Sequence, residues 1–402
     1  MAGGRAGAGA RVSRAPAAPD ALLAARLDAG ERFFAPAACD RIARCCHRMA
    51  ERFARGGRLL AFGASAADRS DVRHVAVEFV HPVIVGKRAL PALGLAPHDV
   101  TLLAREHDVA IAFGAGAGVA AGVRAARARG CLTIGFADVG AEWAFAPPAD
   151  DPFVAQELVE TLYHVLWELV HVFFEHRGLL AGRDAGSRHD SGASSFLYPF
   201  LDEREHDLDA VLADVAASAR AKSQEVGALR AQTLGDGRAT LLSAAAALRR
   251  ALDGGGTALA LGNGGSATDA MDAVADLREP PAPHGWPPRR ALDLTADPAI
   301  LTAIANDVGT EAIFARQVIA YGRAGDVLLA FSTSGGSENV IAALREARSR
   351  ELATVAFVGY DGGRIRAEGL ADFVVVTRSQ QIPRIQEAQA SAWHVLRELI
   401  EA

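Results

Sequence analysis

Two stretches 230 residues apart carry nearly the same phrase. One is QELVETLYHVLWELV, from Gln156 to Val170, and the other is QEAQASAWHVLRELI, from Gln386 to Ile400. Seven of the fifteen positions are identical, among them Gln, Glu and His. A polar phrase written twice implies one structural plan used twice, and that governs every later inference. The flanking sequence agrees. In the first half a helical stretch over roughly 19–55 precedes the apolar run GRLLAFGAS and the helical pattern DVRHVAVEFV. Then come HDVAIAFGAGAG, VAAGVRAARARG and CLTIGFAD, and the Gln156 helix closes the half. The second half has a helical stretch over roughly 208–250, then TALALGNGGS, ATDAMDAVADL, GDVLLAFSTSGGS, ENVIAALREARSR, ATVAFVGYDGG and the Gln386 helix. Short β-like runs alternating with helices predict an α/β chain with parallel sheets covered on both faces.

A chain of 402 residues is too long for one ordinary core and long enough for two. The predicted division is a disordered tail over 1–18, a first domain over 19–178, a linker over 179–206 and a second domain over 207–402. The linker is rich in Gly, Ser, Arg and Asp, and Phe196, Tyr198 and Phe200 are expected to pin its end to a domain. The copies are unequal. His74 aligns with Asp272 at an offset of 198, and Gln156 with Gln386 at 230, so the first copy is 32 residues shorter between those points.

A net charge of −6 gives no reason to expect a nucleic-acid partner. Four cysteines in so long a chain do not form a disulfide framework, which fits a reducing cytoplasm. Cys45 and Cys46 beside His47 could be a metal fragment. With no second pair at zinc spacing they read as helix thiols. The N-terminus has no signal-peptide core, and no apolar run is long enough to span a bilayer.

The strongest local motif is LLAFSTSGGSENV. An apolar strand ends in Ser332, Thr333, Ser334, Gly335, Gly336 and Ser337, and a helix follows. An ordinary serine-rich turn needs one hydroxyl as a cap, whereas this one offers four in six residues. Hydroxyls and backbone N–H groups crowded at a helix start suit an anion such as phosphate. LGNGGSATDA is a second strand–loop–helix of the same kind, with Asn263 and Ser266 as donors.

GNGGSATDA, ANDVGTEAIFARQV, FSTSGGSENVIAALREA and RIQEAQASAWHVLRELIE together resemble the sugar isomerase (SIS) domain family, and within it the phosphoheptose (sedoheptulose 7-phosphate) isomerases. The resemblance covers about 208–402. It is patchier in the first half, where SDVRHVAVEFVHP and the Gln156–His164 helix carry it. It implies two tandem flavodoxin-like αβα sandwiches packed as a pseudo-dimer, the first shortened and degenerate. It also implies homo-oligomers, here a dimer of two-domain chains, and conversion of a ketose phosphate into an aldose phosphate. The family's acid–base pair is a Glu and a His. Some members bind zinc through a His and Glu four apart plus a Gln and His eight apart.

Each half departs from that pattern differently. In the first, His74 and Glu78 are i,i+4 on one helix face, and Gln156 and His164 are two turns apart on another. These four are the candidate zinc ligands, with Glu78 as base and His164 as acid. Yet AFGAGAGVAAG stands where the second half has AFSTSGGSENV, so every hydroxyl is gone. In the second half Asp272 and Asp276 replace the family's His and Glu, while Gln386 and His394 remain. Asp276 is a methylene shorter than Glu, and misplacement on that scale can cost about a hundredfold in rate. One half keeps the carboxylate base and the other keeps the phosphate cradle; the resemblance implies sites at subunit interfaces, so one site can draw on both copies. The expected function is aldose–ketose isomerisation of a heptose phosphate or a close relative. The broken motifs also fit another class, a non-catalytic SIS protein that senses a sugar phosphate or serves as a scaffold.

Overall fold

The computed structural model describes residues 19–83, 87–175, 180 and 207–402. The expected tail, and the linker aromatics Phe196, Tyr198 and Phe200, lie outside the described residues. In the first half, α1 (Pro19–Phe33) and α2 (Pro36–Ala54) lead into β1 (Leu59–Phe62), α3 (Ala66–Val80), β2 (Ala92–Leu95) and α4 (Val100–Leu103). Then follow β3 (Val109–Ala112), α5 (Ala117–Ala128), β4 (Leu132–Gly135), β5 (Trp143–Ala144) and α6 (Pro152–Glu175). The second half opens with α7 (Leu208–Asp236), α8 (Arg238–Asp253), β6 (Ala258–Leu261), α9 (Gly265–Arg278), β7 (Ala291–Asp293), α10 (Pro298–Asp307) and α11 (Ala315–Tyr321). It ends with β8 (Val327–Ser332), α12 (Glu338–Ser349), β9 (Ala353–Gly359), α13 (Gly363–Ala367), β10 (Phe373–Thr377) and α14 (Ile382–Glu401).

Two stretches expected as single helices are each divided. Pro36 at the first turn of α2 breaks the first, because proline starts a helix well and cannot continue one. The second breaks at Gly237.

Each half holds a five-stranded sheet, in the orders β2-β1-β3-β4-β5 and β7-β6-β8-β9-β10. Every pairing is parallel. The two orders are the same, and they are the flavodoxin-like order 2-1-3-4-5. The central strands LLAF, VAIA, ALAL and VLLAFS are buried at every residue, as continuous apolar runs between two helical layers must be. The second half inserts α10 and α11 between β7 and β8, where the first has only the single turn of α4. That is the sequence shortfall in structural form.

The halves pack α3 against α9 and α6 against α14, the arrangement of a pseudo-dimer. Their cores interlock across the expected boundary. Leu22 of α1 belongs to the core that holds Leu241, Leu248 and Trp393, while Val211, Val215 and Ala219 of α7 belong to the core beneath the first sheet. Cys45 and Cys46 are free thiols buried on the inner face of α2, and burial pushes both well up. Among the described residues no helix is long and apolar enough to cross a membrane.

Candidate functional site

The 2-1-3-4-5 order places a switch point between the first and third strands of each sheet, where ligands of such folds bind beyond the strand C-termini. In the second sheet this is where the loops after β6 and β8 meet. Asn263 and Asn339 exchange two side-chain amide bonds of 2.9 Å and clamp these loops together. Ser332 Oγ accepts from the Gly335 N–H at 3.1 Å, and Ser334 Oγ accepts from the Gly336 N–H at 3.2 Å. Ser334 is exposed, Thr333 and Ser337 are half-buried, and Ser266 is buried in the first turn of α9. Ser337 precedes α12 without a side-chain capping bond. The predicted cradle residues are therefore gathered at one sheet edge. Asn263 acts there first as the clamp between loops.

The floor beside this edge comes from both halves. His74 and Glu78 stand on α3, with 4.0 Å between His74 Nε2 and Glu78 Oε1. His164 Nε2 on α6 lies 3.3 Å from His74 Nε2. Gln386 Nε2 on α14 lies 3.3 Å from the same nitrogen. A β-carbon on Gly265, in the cradle loop's helix start, would lie 2.1 Å from Gln386 Nε2 and 3.0 Å from His74 Nε2. His74 of the first half thus lies against the loop that starts α9 in the second half.

The expected quartet of His74, Glu78, Gln156 and His164 is divided. Gln156 donates instead to Asp272 Oδ1 at 2.8 Å, and Gln386 stands beside His74. Helices α6 and α14 pack side by side, so each presents its glutamine to the partner half while its histidine stays with its own. The mirror cluster holds Asp272, Asp276, His394 and Gln156. There Trp393 Nε1 donates to Asp276 Oδ2 at 2.8 Å, and His394 Nε2 lies 3.6 Å from the same oxygen. His394 stacks on Phe153 from the other half at 4.3 Å.

Two glutamates that the sequence reading left without a role decide the difference between the clusters. Glu387 Oε1 lies 2.9 Å from His164 Nδ1, and Glu157 Oε1 lies 2.9 Å from His394 Nδ1. Both follow the repeated glutamine, so the repeat itself was the signal. Burial, and then Arg384, hold His164 down to about 3, while burial pushes Glu387 up to about 8. The imidazole of that pair is therefore neutral. Arg384 also pairs with Glu168, which binds Lys222, completing a buried chain behind His164. In the mirror cluster burial opposes the charge on His394, but the Glu157 bond and the Glu157 and Asp276 charges outweigh it and raise the imidazole. Glu157 goes down to about 2; burial alone would raise it, and Arg26 and His394 prevail. Both shifts favour the charged form of that pair.

The first cluster fits a zinc ion by its donors. Ligand atoms of His74, Glu78 and His164 lie within 4.8 Å of one another. Both imidazoles are held neutral, His74 by burial and then by His164. Their Nδ1 atoms are engaged by Tyr163 Oη at 2.9 Å and by Glu387, so the Nε2 atoms face each other. Glu78 Oε2 and Gln386 Oε1 are buried without a hydrogen-bond partner. Neutral imidazoles, a carboxylate and an amide oxygen, backed by outer partners, are donors that zinc accepts. His394, whose imidazole is raised by its two flanking carboxylates, fits less well, because a proton competes with the metal for its nitrogen. His74, Glu160 and Asp269 form a second close group, also missed from the sequence.

The SIS domain pattern matches residues 223–359. A phosphoheptose isomerase from Geobacter sulfurreducens is 41% identical over 190 residues, 47% of this chain and 96% of that one. The chain belongs to the SIS domain family. Among solved structures, the C-terminal domain of glucosamine-fructose-6-phosphate aminotransferase from Francisella tularensis matches with a TM-score of 0.60 and 8% identity, over 94% of this chain and 93% of that one. Tagatose-6-phosphate ketose/aldose isomerase from Escherichia coli matches at 0.55 and 12%, over 96% and 95%. At such identities these two bear on fold alone: the whole two-sheet arrangement recurs. The SIS domain match falls within the second half, which is the half that keeps the hydroxyl-rich loop.

Proposed function

We propose that this SIS-family chain is a sugar-phosphate aldose–ketose isomerase with one composite site, acting on a heptose phosphate such as sedoheptulose 7-phosphate. The observation that carries the reading is the meeting of His74, Glu78, His164 and Gln386 beneath Gly265 of the Ser/Asn cradle. The cradle takes the phosphate through Ser332, Thr333, Ser334, Ser337 and Ser266, with Asn263 bracing it. Glu78 is the base. It takes a proton from the carbon beside the carbonyl and returns it to the neighbouring carbon, while the hydroxyl proton passes from the first carbon's oxygen to the second's, so a ketose becomes an aldose with no change in composition. Burial, then the charges of Glu168 and Glu387, push Glu78 up to about 8, which makes its carboxylate a stronger base near neutral pH.

His74, Glu78, His164 and Gln386 would hold zinc, which when bound polarises a carbonyl and steadies a developing enediolate oxygen. With Nδ1 tied to Glu387, His164 has one nitrogen to offer and is ligand or acid, not both. Two Nε2 atoms 3.3 Å apart favour the ligand role. The sequence match to a phosphoheptose isomerase supports the substrate class.

The test is incubation of purified protein with sedoheptulose 7-phosphate, with added zinc and after chelation, following aldose formation. Turnover is expected with zinc and is lost after chelation. Tight binding of the ketose phosphate without any turnover would end the isomerase reading and leave a sugar-phosphate sensor.

A further inference from the structure

The first sheet has its own switch-point pocket, of about 390 Å³, between the loops after β1 and β3. Asp276 and Glu279 of the second half close one side, and Ser65, Asp68, Asp71, Gly114 and Gln156 line the rest. By position it mirrors the cradle. We propose that Asp68 makes this pocket refuse phosphate, so that the chain binds one sugar phosphate rather than two; the proposal rests on reading the second sheet's loops as the phosphate cradle.

At the 198-residue offset that pairs His74 with Asp272, Asp68 pairs with Ser266. A cradle hydroxyl is thus replaced by a fixed negative charge. Asp68 Oδ2 accepts from the backbone N–H groups of Ala64 at 3.1 Å and Ser65 at 2.9 Å. Both are donors of the β1–α3 loop that an anion would otherwise use. A β-carbon on Gly114 would lie 2.4 Å from both Asp68 oxygens, so the carboxylate lies against the β3–α5 loop as well. It occupies the space between the two loops, where the other half would receive a phosphate.

Arg69 donates to the Ala64 carbonyl at 2.8 Å on the same loop but does not line the pocket. The residues lining the pocket include no Lys or Arg and add three further acidic side chains, Asp71, Asp276 and Glu279, of which burial favours the neutral form in the first two. The loop from Phe113 to Gly118 has no hydroxyl to share with a phosphate oxygen. The start of α3 is also spent internally, since the Asp68 N–H donates to Ser65 Oγ in a capping box. In contrast, α9 begins behind Gly264 with no side-chain cap.

Isothermal titration of the full chain with sedoheptulose 7-phosphate tests this. Wild type should take one equivalent per chain, and Ser334→Ala with Ser337→Ala should weaken that single event. Asp68→Asn keeps an acceptor for Ala64 and Ser65 without the charge, and Asp68→Ser restores the other half's residue. Either variant, once its thermal melt shows it folded, should take a second, weaker equivalent. Two equivalents in wild type would overturn the proposal, as would folded Asp68 variants that both remain at one. If wild type binds none, the cradle reading fails separately. In that case one equivalent gained by Asp68→Asn still supports the role of Asp68, and none overturns it.

Discussion

The carboxylate of Glu387 lies 2.9 Å from Nδ1 of His164, across 223 residues of sequence and across the boundary between the two sheets. Each half supplies the glutamate that orients the other half's histidine, since Glu157 does the same for His394. The two imidazoles shift oppositely: burial and then Arg384 lower His164, whereas the Glu157 bond and the charges of Glu157 and Asp276 overcome burial and raise His394. Outer partners of metal-binding imidazoles contribute roughly 10- to 100-fold in metal affinity. Glu387→Gln should therefore weaken zinc binding by that factor, measured by competition with a chelator. Glu157→Gln should leave zinc affinity unchanged and lower the melting temperature instead.

Glu78→Gln should abolish turnover, because an amide cannot accept the proton; general-base removal costs roughly 10²–10⁴-fold. Substrate affinity by calorimetry should survive, since the cradle is built from other residues. A fully active Glu78→Gln enzyme would place the base elsewhere.

The same variant has a pH signature in the metal-free protein. Burial raises Glu78 in the folded state to about 8 from 4.5. Its contribution to stability is fully present below the unfolded value and is lost as pH rises toward 8. Glutamine does not titrate. Glu78→Gln should therefore gain stability relative to wild type between pH 5 and 8, with roughly 5 kcal/mol as an upper bound at 1.36 kcal/mol per unit. Urea denaturation at several pH values measures it, and a difference that stays flat with pH would count against a buried, raised carboxyl.

His164→Ala and His394→Ala should part company. The first should lose zinc and turnover. The second leaves Glu157 and Asp276 facing a void that Phe153 had covered, and breaking a buried ion pair costs about 3–5 kcal/mol. It should unfold more readily while the folded fraction keeps its turnover. A dead His394→Ala beside an active His164→Ala would assign catalysis to the wrong cluster.

Ser334→Ala with Ser337→Ala should weaken sugar-phosphate binding, since hydrogen bonds to a charged group contribute about 1.5–3 kcal/mol each. Unchanged affinity by calorimetry would make the loop an ordinary turn.

Gly265→Ala probes the contact between cradle and floor. The added methyl would meet Gln386 Nε2 at 2.1 Å, so Gln386 must swing away from His74. Zinc affinity should fall, and the melting temperature, read by circular dichroism, should fall with it, because overpacking a buried contact costs about 1–3 kcal/mol.

Much of this was legible in the sequence because it is local. Alternating apolar runs and helical patterns are read within a dozen residues, and the parallel sheets followed from them. The loss of hydroxyls at Gly114–Gly118 and their survival at Ser332–Ser337 likewise needed no coordinates. Spacing also put His74 with Glu78 and Gln156 with His164 on shared helix faces. What spacing cannot state is which face meets which partner, because that depends on helices packed across hundreds of residues. Only the tertiary structure exchanged Gln156 for Gln386, since α6 and α14 lie side by side and each glutamine projects into the other half. The same packing lowered one imidazole and raised the other, a difference invisible in two phrases that read QE and then H. Burial and neighbouring charge set protonation, and both are properties of the folded interior.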